Sequence, residues 1–278
     1  MLRLPDAVGS LPVAGEGLTV ARRTSRIGLA ALCAGVVVVV VVATLHPVAS
    51  GTGTSAPLIR IRAVGQHAGT ASTNWSGYGI AGSFVSVTGR WTVPAVSPTT
   101  GATYSSTWLG IDGLANRNLI QTGTDSDYVG GQAHYDAWWE ILPATERVIG
   151  SLVVRPGDTM TASVGHLSKR RWEIIIRDVS TGGSFSIVHG YRGPAASAEW
   201  IEERPQIGRS LASLAHYGTT TFSGLTVDGA DPRLTGSEAI SMVGTGGTPT
   251  LSTPSGPSPR GDAFTVAFGA LVPAAPPG

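Results

Sequence analysis

Short stretches in which apolar and polar residues alternate, separated by glycine- and proline-containing turns, recur along most of this chain. The stretch at residues 133–142 places Asp136 and Trp138 on one face of an extended strand and Tyr135 and Trp139 on the other. A period of two is typical of a half-buried β-strand. About a dozen such stretches, with no repeat of 20–50 residues, predict an all-β protein.

The succession of strand-like stretches without long helices between them favours an antiparallel β-sandwich over a parallel α/β fold. One stretch differs from the rest. Residues 208–218 (GRSLASLAHYG) place Leu211, Leu214 and Ala215 at helical spacing. We therefore expect two stacked, curved sheets and at most one short helix.

Residues 1–50 form a leader. Three arginines between positions 22 and 26 precede Ile27–Leu45, an uncharged apolar run long enough to cross a bilayer. The run is a cleaved signal peptide or an uncleaved anchor: small residues near Ser50 favour cleavage, whereas its length favours an anchor. Arginines on the N-terminal side place the remainder outside the cytoplasm either way. The protein is thus expected to be secreted, or held on the outer face of the membrane through residues 27–45 alone.

The rest of the chain divides into three parts. Residues 51–70 are small and polar, as in a linker or short propeptide, residues 71–272 hold the predicted sandwich, and residues 273–278 are a tail. The only cysteine, Cys33, lies inside the apolar run. The exported part therefore has no disulfide, and its stability must come from its core.

Composition excludes several functions. Residues 51–278 carry 15 Lys and Arg against 16 Asp and Glu without a basic stripe, which argues against nucleic acid as a partner. No HExxH motif is present and the six histidines are scattered, so we expect no metal or other cofactor. The GRSLA segment at 208–212 lacks the last glycine of a serine-hydrolase elbow. We expect a monomer.

Two polar residues in apolar surroundings remain as candidates for chemistry. Glu199 lies beside Trp200 in a strand-like segment, where an acid is costly unless it is paired, faces a cleft or points to solvent. Gln121 poses the same question in neutral form within LIQTG. It is either a structural amide bonded to neighbouring backbone or a donor to a developing oxyanion.

Six motifs, in this order and spacing, together resemble the eqolisins, the glutamic peptidases, and in particular an exported member of bacterial type. The similarity covers roughly residues 73–268. The motifs are NWSGY (74–78), VTGRWTVPAVSP (87–98), WLGIDG (108–113), LIQTGTD (119–125), YDAWWEILP (135–143) and SAEWIEERP (197–205).

The resemblance implies a concanavalin-like sandwich whose concave face holds a Gln/Glu dyad, which falls here on Gln121 and Glu199. It implies an exported endopeptidase that acts on polypeptides. Glu199 would take a proton from the attacking water, and Gln121 would stabilise the oxyanion. Because an unperturbed glutamate titrates near pH 4.3, we predict an acidic optimum at roughly pH 3–5.

The resemblance also suggests supporting roles for residues in the matching motifs. The candidates for lining the substrate cleft are Trp75, Trp108, Tyr135 and Trp139. The candidates for orienting the dyad through hydrogen bonds and shared protons are Asp112, Asp125 and Glu140. Each has a structural alternative, as a buried core aromatic or as a carboxylate that accepts backbone N–H groups at a turn.

The sequence departs from the better-known fungal eqolisins, which are acidic, contain disulfides and carry a long propeptide. Here the exported chain is nearly neutral and free of cysteine, with only residues 51–70 before the domain. Acid stability and latency therefore do not carry over with the dyad.

Two other functions fit the same residues. A β-sandwich glycoside hydrolase would use paired carboxylates such as Glu140 and Glu199 and would not need Gln121. A non-catalytic module would hold a peptide or a sugar on Trp75, Trp108 and Trp139.

Overall fold

A computed structural model describes residues 71–277. The predicted leader at 1–50 and the linker at 51–70 lie outside these residues. Within residues 71–277, no helix is both long enough and apolar enough to cross a membrane.

Regular structure in the described residues consists of β-strands and one 3₁₀ turn at Gly236–Glu238. The strands, in chain order, are β1 (Ala71–Ser72), β2 (Trp75–Ala81), β3 (Ser86–Thr92), β4 (Ser106–Ile111), β5 (Ile120–Val129), β6 (Gln132–Ile141), β7 (Arg147–Val153), β8 (Thr159–Ser168), β9 (Arg171–Asp178), β10 (Ser184–Gly190), β11 (Ser197–Glu203), β12 (Gln206–Ile207), β13 (Ser210–Leu211), β14 (Thr219–Val227), β15 (Ala239–Val243), β16 (Thr250–Pro254) and β17 (Phe264–Phe268).

The helix predicted at residues 208–218 is wrong. Strand β13 pairs with β12 across a turn at Gly208, which has a φ of +62°. The residues after β13 lie alongside the segment around Tyr104. There the Tyr104 N–H donates to the Ser213 carbonyl, and the Ala215 N–H donates to the Tyr104 carbonyl. An isolated helix of this length is marginal, and here the backbone groups find partners across the fold instead.

The strands form two layers. The first sheet has the order β10-β9-β8-β3-β14-β17-β16-β15, and the second has the order β2-β11-β4-β5-β6-β7. They are joined where β15 pairs with β2. Pairing between neighbours is antiparallel throughout both sheets, whereas the short β1 lies parallel to β15.

The main apolar core lies between the two sheets. Two buried tryptophan side chains, one from each sheet, donate hydrogen bonds across this core. Trp91 Nε1 on β3 donates to Thr124 Oγ1 on β5 at 2.9 Å, and Trp200 Nε1 on β11 donates to the Thr88 carbonyl on β3 at 2.8 Å. Each ring thus buries a large apolar surface while its N–H finds a partner in the opposite sheet.

A second, smaller apolar cluster lies on the other face of the second sheet. Trp108 belongs to it, whereas the next residue, Leu109, faces the main core, as the alternation of a strand requires. The cluster consists of Trp75, Trp108, Leu119, Trp138, Leu142, Ile201 and Ile240, with Leu114 packed against it. This outer face also carries the candidate dyad.

Candidate active site

Glu199 and Gln121 lie in one cross-strand row of the second sheet. Glu199 on β11 pairs with Gly110 on β4, Gly110 pairs with Gln121 on β5, and Gln121 pairs with Glu140 on β6. Directly paired residues project from the same face of a sheet. Two strand spacings of about 4.8 Å place the Cα atoms of Glu199 and Gln121 about 10 Å apart, with no side chain between them.

Glycines on both sides of Glu199 keep this row open. A Cβ added at Gly110 would lie 3.0 Å from Gln121 Cβ. A Cβ added at Gly79, which pairs with Glu199 from β2, would lie 3.5 Å from Glu199 Cγ and 3.1 Å from Leu114 Cδ1. Glycine inside a strand marks a close approach of this kind.

The Glu199 carboxyl is fully buried, and among the described residues neither of its oxygens makes a hydrogen bond. Burial raises its pKa well above the ordinary value, and the negative charge of Asp112 raises it further. The Ser197 hydroxyl lowers the pKa, an effect second only to burial, and the Leu114 N–H lowers it least, although neither group is within hydrogen-bond geometry of the carboxyl. Glu199 is thus a carboxyl whose proton is held tightly, and whose ionised form is a strong base.

Glu140 fixes the orientation of the Gln121 amide. Gln121 Nε2 donates to Glu140 Oε2 at 2.6 Å. An amide nitrogen carries two hydrogens, so the second N–H is available to another acceptor. Gln121 Oε1 is buried and makes no hydrogen bond to any described residue. The amide therefore offers one donor and one acceptor to a ligand beside Glu199.

Asp112 lies at the end of β4 and anchors the chain that leads into β11. Its Oδ2 accepts from the Tyr191 hydroxyl at 2.5 Å and from the Ala195 N–H at 2.8 Å. Its Oδ1 accepts from the Ala196 N–H at 2.8 Å and from Asn116 Nδ2 at 2.9 Å. Asp112 therefore acts on Glu199 through its charge and by fixing the start of β11.

Tyr191 and Gly193 complete this anchor. Burial is the main reason why the pKa of the Tyr191 hydroxyl is raised, and the hydrogen bond to Asp112 adds to it. A Cβ at Gly193 would lie 2.1 Å from Tyr191 Oη and 2.4 Å from Asp112 Oδ2, so only glycine allows the backbone to pass here.

The third predicted orienting carboxylate, Asp125, lies farther away. It accepts a hydrogen bond from the Ser106 hydroxyl on β4. Four residues of strand, about 13 Å, separate it from Gln121 along β5. Of the three candidates, only Glu140 bonds directly to a member of the dyad.

Trp75 and Trp108 lie on the dyad face of the second sheet. Their rings pack edge to face, with centroids 5.0 Å apart and planes at 76°. Trp108 Nε1 donates to Glu203 Oε2 at 2.8 Å. Both side chains are fully buried, so they form part of the base of this face.

Tyr135 and Trp139 lie on the opposite face from the dyad. On β6 they pair with Ser126 and Thr122, which alternate with Gln121 along β5, and both rings belong to the main core side. The structure does not bring them to the row. Trp138, two residues before Glu140, holds the dyad-side position instead.

Sequence reasoning therefore missed Gly79, Gly110, Trp138 and Tyr191. Alternation along β6 could have found Trp138, and a glycine inside WLGI could have marked Gly110. Tyr191 is 79 residues from Asp112 along the chain, and no local pattern connects them. Within residues 71–277, no three His, Cys, Asp or Glu side chains are placed to hold a metal ion.

Comparison with known proteins places the chain in a family. Residues 73–266 match the model of the Peptidase A4 family. The chain belongs to the Peptidase A4 family. The resemblance to the eqolisins is thereby confirmed.

Two fungal proteins are similar in sequence. Aspergillopepsin-2 of Aspergillus niger is 31% identical over 179 residues, which cover 55% of this chain and 63% of the relative. Scytalidopepsin B of Scytalidium lignicola is 30% identical over 127 residues, 45% of this chain and 47% of the relative. The chain thus spans less than two thirds of either relative.

A solved structure of the family confirms the fold. Scytalido-glutamic peptidase with a transition state analog inhibitor matches with a TM-score of 0.58 at 20% identity. The match covers 70% of this chain and 98% of that structure. The predicted all-β antiparallel sandwich is therefore confirmed.

Proposed function

We propose that this Peptidase A4 member is an exported glutamic endopeptidase that hydrolyses polypeptides with Glu199 and Gln121 as its catalytic pair. The observation that supports this most strongly is the cross-strand row in which an unpaired buried carboxyl and an oriented amide flank a glycine. A peptide carbonyl above Gly110 would lie between the two groups.

Glu199 is the general base and later the general acid. In its ionised form it takes a proton from a water molecule as that water attacks the scissile carbonyl. It then returns the proton to the departing amine. Because burial raises the pKa of Glu199, its ionised form is a stronger base than an exposed glutamate. Once protonated, the same carboxyl is the acid that supplies the proton to the leaving amine.

Gln121 stabilises the tetrahedral intermediate. Glu140 holds one Nε2–H, and the other is free to donate to the oxyanion. The unbonded Oε1 accepts from the attacking water and positions it. By comparison with other single oxyanion donors, the loss of this amide should cost about 2.7–4 kcal/mol of transition-state stabilisation.

The glycoside hydrolase alternative is disfavoured by the same geometry. It needs two carboxyl groups that act on one bond. The Glu140 carboxyl instead accepts a hydrogen bond from Gln121, and three strand spacings, about 14 Å, separate its Cα from that of Glu199.

Separate Gln121→Ala and Glu199→Gln variants test the dyad on a denatured protein substrate at the pH where the wild type cleaves fastest. Both variants should lose cleavage while keeping the wild-type circular dichroism spectrum. Glu173→Gln, on β9 of the first sheet, is the matched control and should cleave normally. Retained cleavage in either dyad variant would exclude the proposed mechanism.

We also propose that the protein is secreted or anchored outside the membrane, and that it acts as a monomer. Export rests on the apolar run at residues 27–45. N-terminal sequencing of the exported protein should give a start near residue 51 for a cleaved signal, or an intact leader in the membrane fraction for an anchor. An intact chain in the cytoplasm would overturn the proposal of export.

A further inference from the structure

A pocket of about 490 Å³ opens between the edge strands of the two sheets, away from the dyad. This volume lies within the range of about 300–1,000 Å³ that is common for small-molecule sites. Most of the lining is apolar. Its lining residues are Trp139, Ile141, Leu142, Pro143, Ala144, Thr145, Arg147 and His189.

Trp139 forms the floor of this pocket between two nitrogen-bearing side chains. The residue is 9% exposed. The guanidinium carbon of Arg147, which pairs with Trp139 across β6 and β7, lies 5.5 Å from the ring centroid. The imidazole of His189, from β10 of the first sheet, lies 5.8 Å from the indole with planes tilted by 44°.

Among residues 71–277, the pocket has a cationic side chain without an acidic neighbour in its lining. No acidic side chain is among its lining residues, and Arg147 makes no ion pair with any residue in 71–277. His189 Nδ1 lies 3.2 Å from the Gly190 carbonyl, so the other ring nitrogen is left for a different partner. An arginine beside an apolar floor binds an anion that also carries hydrocarbon.

We propose that this pocket binds an apolar carboxylate, specifically the C-terminal residue of a peptide that ends in an aromatic or branched aliphatic side chain. The side chain packs on Trp139 and Ile141, and the carboxylate accepts hydrogen bonds from the Arg147 guanidinium. The choice of a peptide as the source rests on the proposed peptidase function, because each cleavage releases a new C-terminal carboxylate. The chemistry of the pocket itself does not depend on that function.

This site is separate from the dyad. Trp139 projects from the face of β6 opposite to Glu140 and Gln121. A peptide end bound there does not occupy the row above Gly110. Binding should therefore persist in protein whose dyad has been disabled.

Calorimetric titration of the whole protein with N-acetyl-phenylalanine, compared with its uncharged amide, tests the proposal. The acid should bind saturably and the amide roughly tenfold or more weakly, because the uncharged amide cannot form charge-assisted hydrogen bonds with the guanidinium. Equal affinity for acid and amide, or no saturable binding of the acid, would overturn it.

Arg147→Met removes the charge while keeping an apolar side chain, and Arg147 is exposed, so the variant should fold. It should bind the acid as weakly as the amide and leave amide binding unchanged. Arg155→Met, an exposed arginine after β7 outside the pocket, is the control and should bind the acid like wild type.

The dyad variants separate this proposal from the proposed function. Glu199→Gln should bind the acid with wild-type affinity even though it does not cleave. Acid binding that is lost in Glu199→Gln but kept in Arg147→Met would place the ligand at the dyad and overturn the pocket proposal. Cleavage retained in Glu199→Gln would overturn the catalytic assignment and leave the titration result intact.

Discussion

Glu199 and Glu202 show how one strand can give two buried carboxyl groups different roles. Both are fully buried on β11, and burial is the main cause that raises the pKa of each. Because they are three residues apart, Glu199 faces the dyad row and Glu202 faces the core between the sheets. There Glu202 Oε2 accepts from the Thr107 hydroxyl at 2.7 Å. Under the proposed function, the Glu199 proton takes part in catalysis, whereas the Glu202 proton is part of the folded structure.

The pH dependence of cleavage should report the proton on Glu199. The acid limb of kcat/KM follows ionisation of this base in the free enzyme. Because burial raises the pKa of Glu199 well above 4.5, we expect the acid limb to lie above pH 4.5. The optimum should then be higher than the roughly pH 3–5 predicted from an unperturbed glutamate. Asp112→Asn removes a charge that raises this pKa, so the limb should move to lower pH.

Steady-state rates across pH for wild type, Asp112→Asn and the partly exposed Asp231→Asn check this. The control should follow wild type. A limb that stays in place or moves to higher pH in Asp112→Asn would contradict the electrostatic role of Asp112.

Glu202 should make the protein less stable as pH rises. Burial raises its pKa from 4.5 to about 8 in the folded state. The folded protein thus holds a proton that the unfolded chain releases, and this stabilisation is complete below pH 4.5 and is lost as pH rises through 8. Glutamine does not titrate, so the Glu202→Gln variant should not lose this stability as pH rises. Its free energy of unfolding minus that of wild type should therefore increase by a few kcal/mol from pH 4 to pH 8.

Urea unfolding of both proteins at the two pH values measures the difference. Glu173→Gln, a partly exposed glutamate on β9, should show a constant offset. If Glu202→Gln also gives a constant offset, Glu202 does not carry the proton.

At the scale of secondary-structure elements, the register between neighbouring strands determines which side chains meet in the candidate site. Strand β11 lies between β2 and β4, so Glu199 meets Gly110 and, one strand further, Gln121. Alternation along β6 was enough to predict a strand and its two faces. The pairing of strands far apart in sequence has no local signal, and Gln121 and Glu199 were linked only through motifs shared with a family. The helix predicted at 208–218 failed in part for the same reason, since Ser213 and Ala215 bond to Tyr104, which is distant in sequence.

Gly110→Ala should damage the site directly. The new Cβ would lie 2.9 Å from the Ile120 carbonyl and 3.0 Å from Gln121 Cβ, so strands or side chain must shift. We expect a stability loss of about 1–3 kcal/mol and a lower kcat/KM. Gly165→Ala on β8, where nothing lies within 4 Å of the added atom, is the matched control for activity. Normal cleavage by Gly110→Ala would show that the row tolerates a side chain.

At the scale of the whole molecule, the two sheets are held together by packing, by the pairing of β15 with β2 and by the cross-sheet hydrogen bonds of Trp91 and Trp200. The core between them collects large side chains from both layers, and residues 71–277 contain no cysteine. A sandwich of this size can bury enough apolar surface to be stable without disulfides.

Stability should therefore be indifferent to redox conditions. The melting temperature of the protein should be the same with and without a thiol reductant, because no cross-link constrains its unfolded chain. Differential scanning fluorimetry at fixed pH measures this. A lower melting temperature in reductant would require a covalent link through Cys33, the only thiol in the chain.

The central position of β11 also bears on how activity is lost. All seven residues of β11 pair with β2, and six of them also pair with β4. Amide protons in such a doubly bonded strand exchange with solvent only when the whole domain opens. On heating, inactivation should therefore coincide with global unfolding, and the slowest hydrogen–deuterium exchange should be found at the strand that carries Glu199.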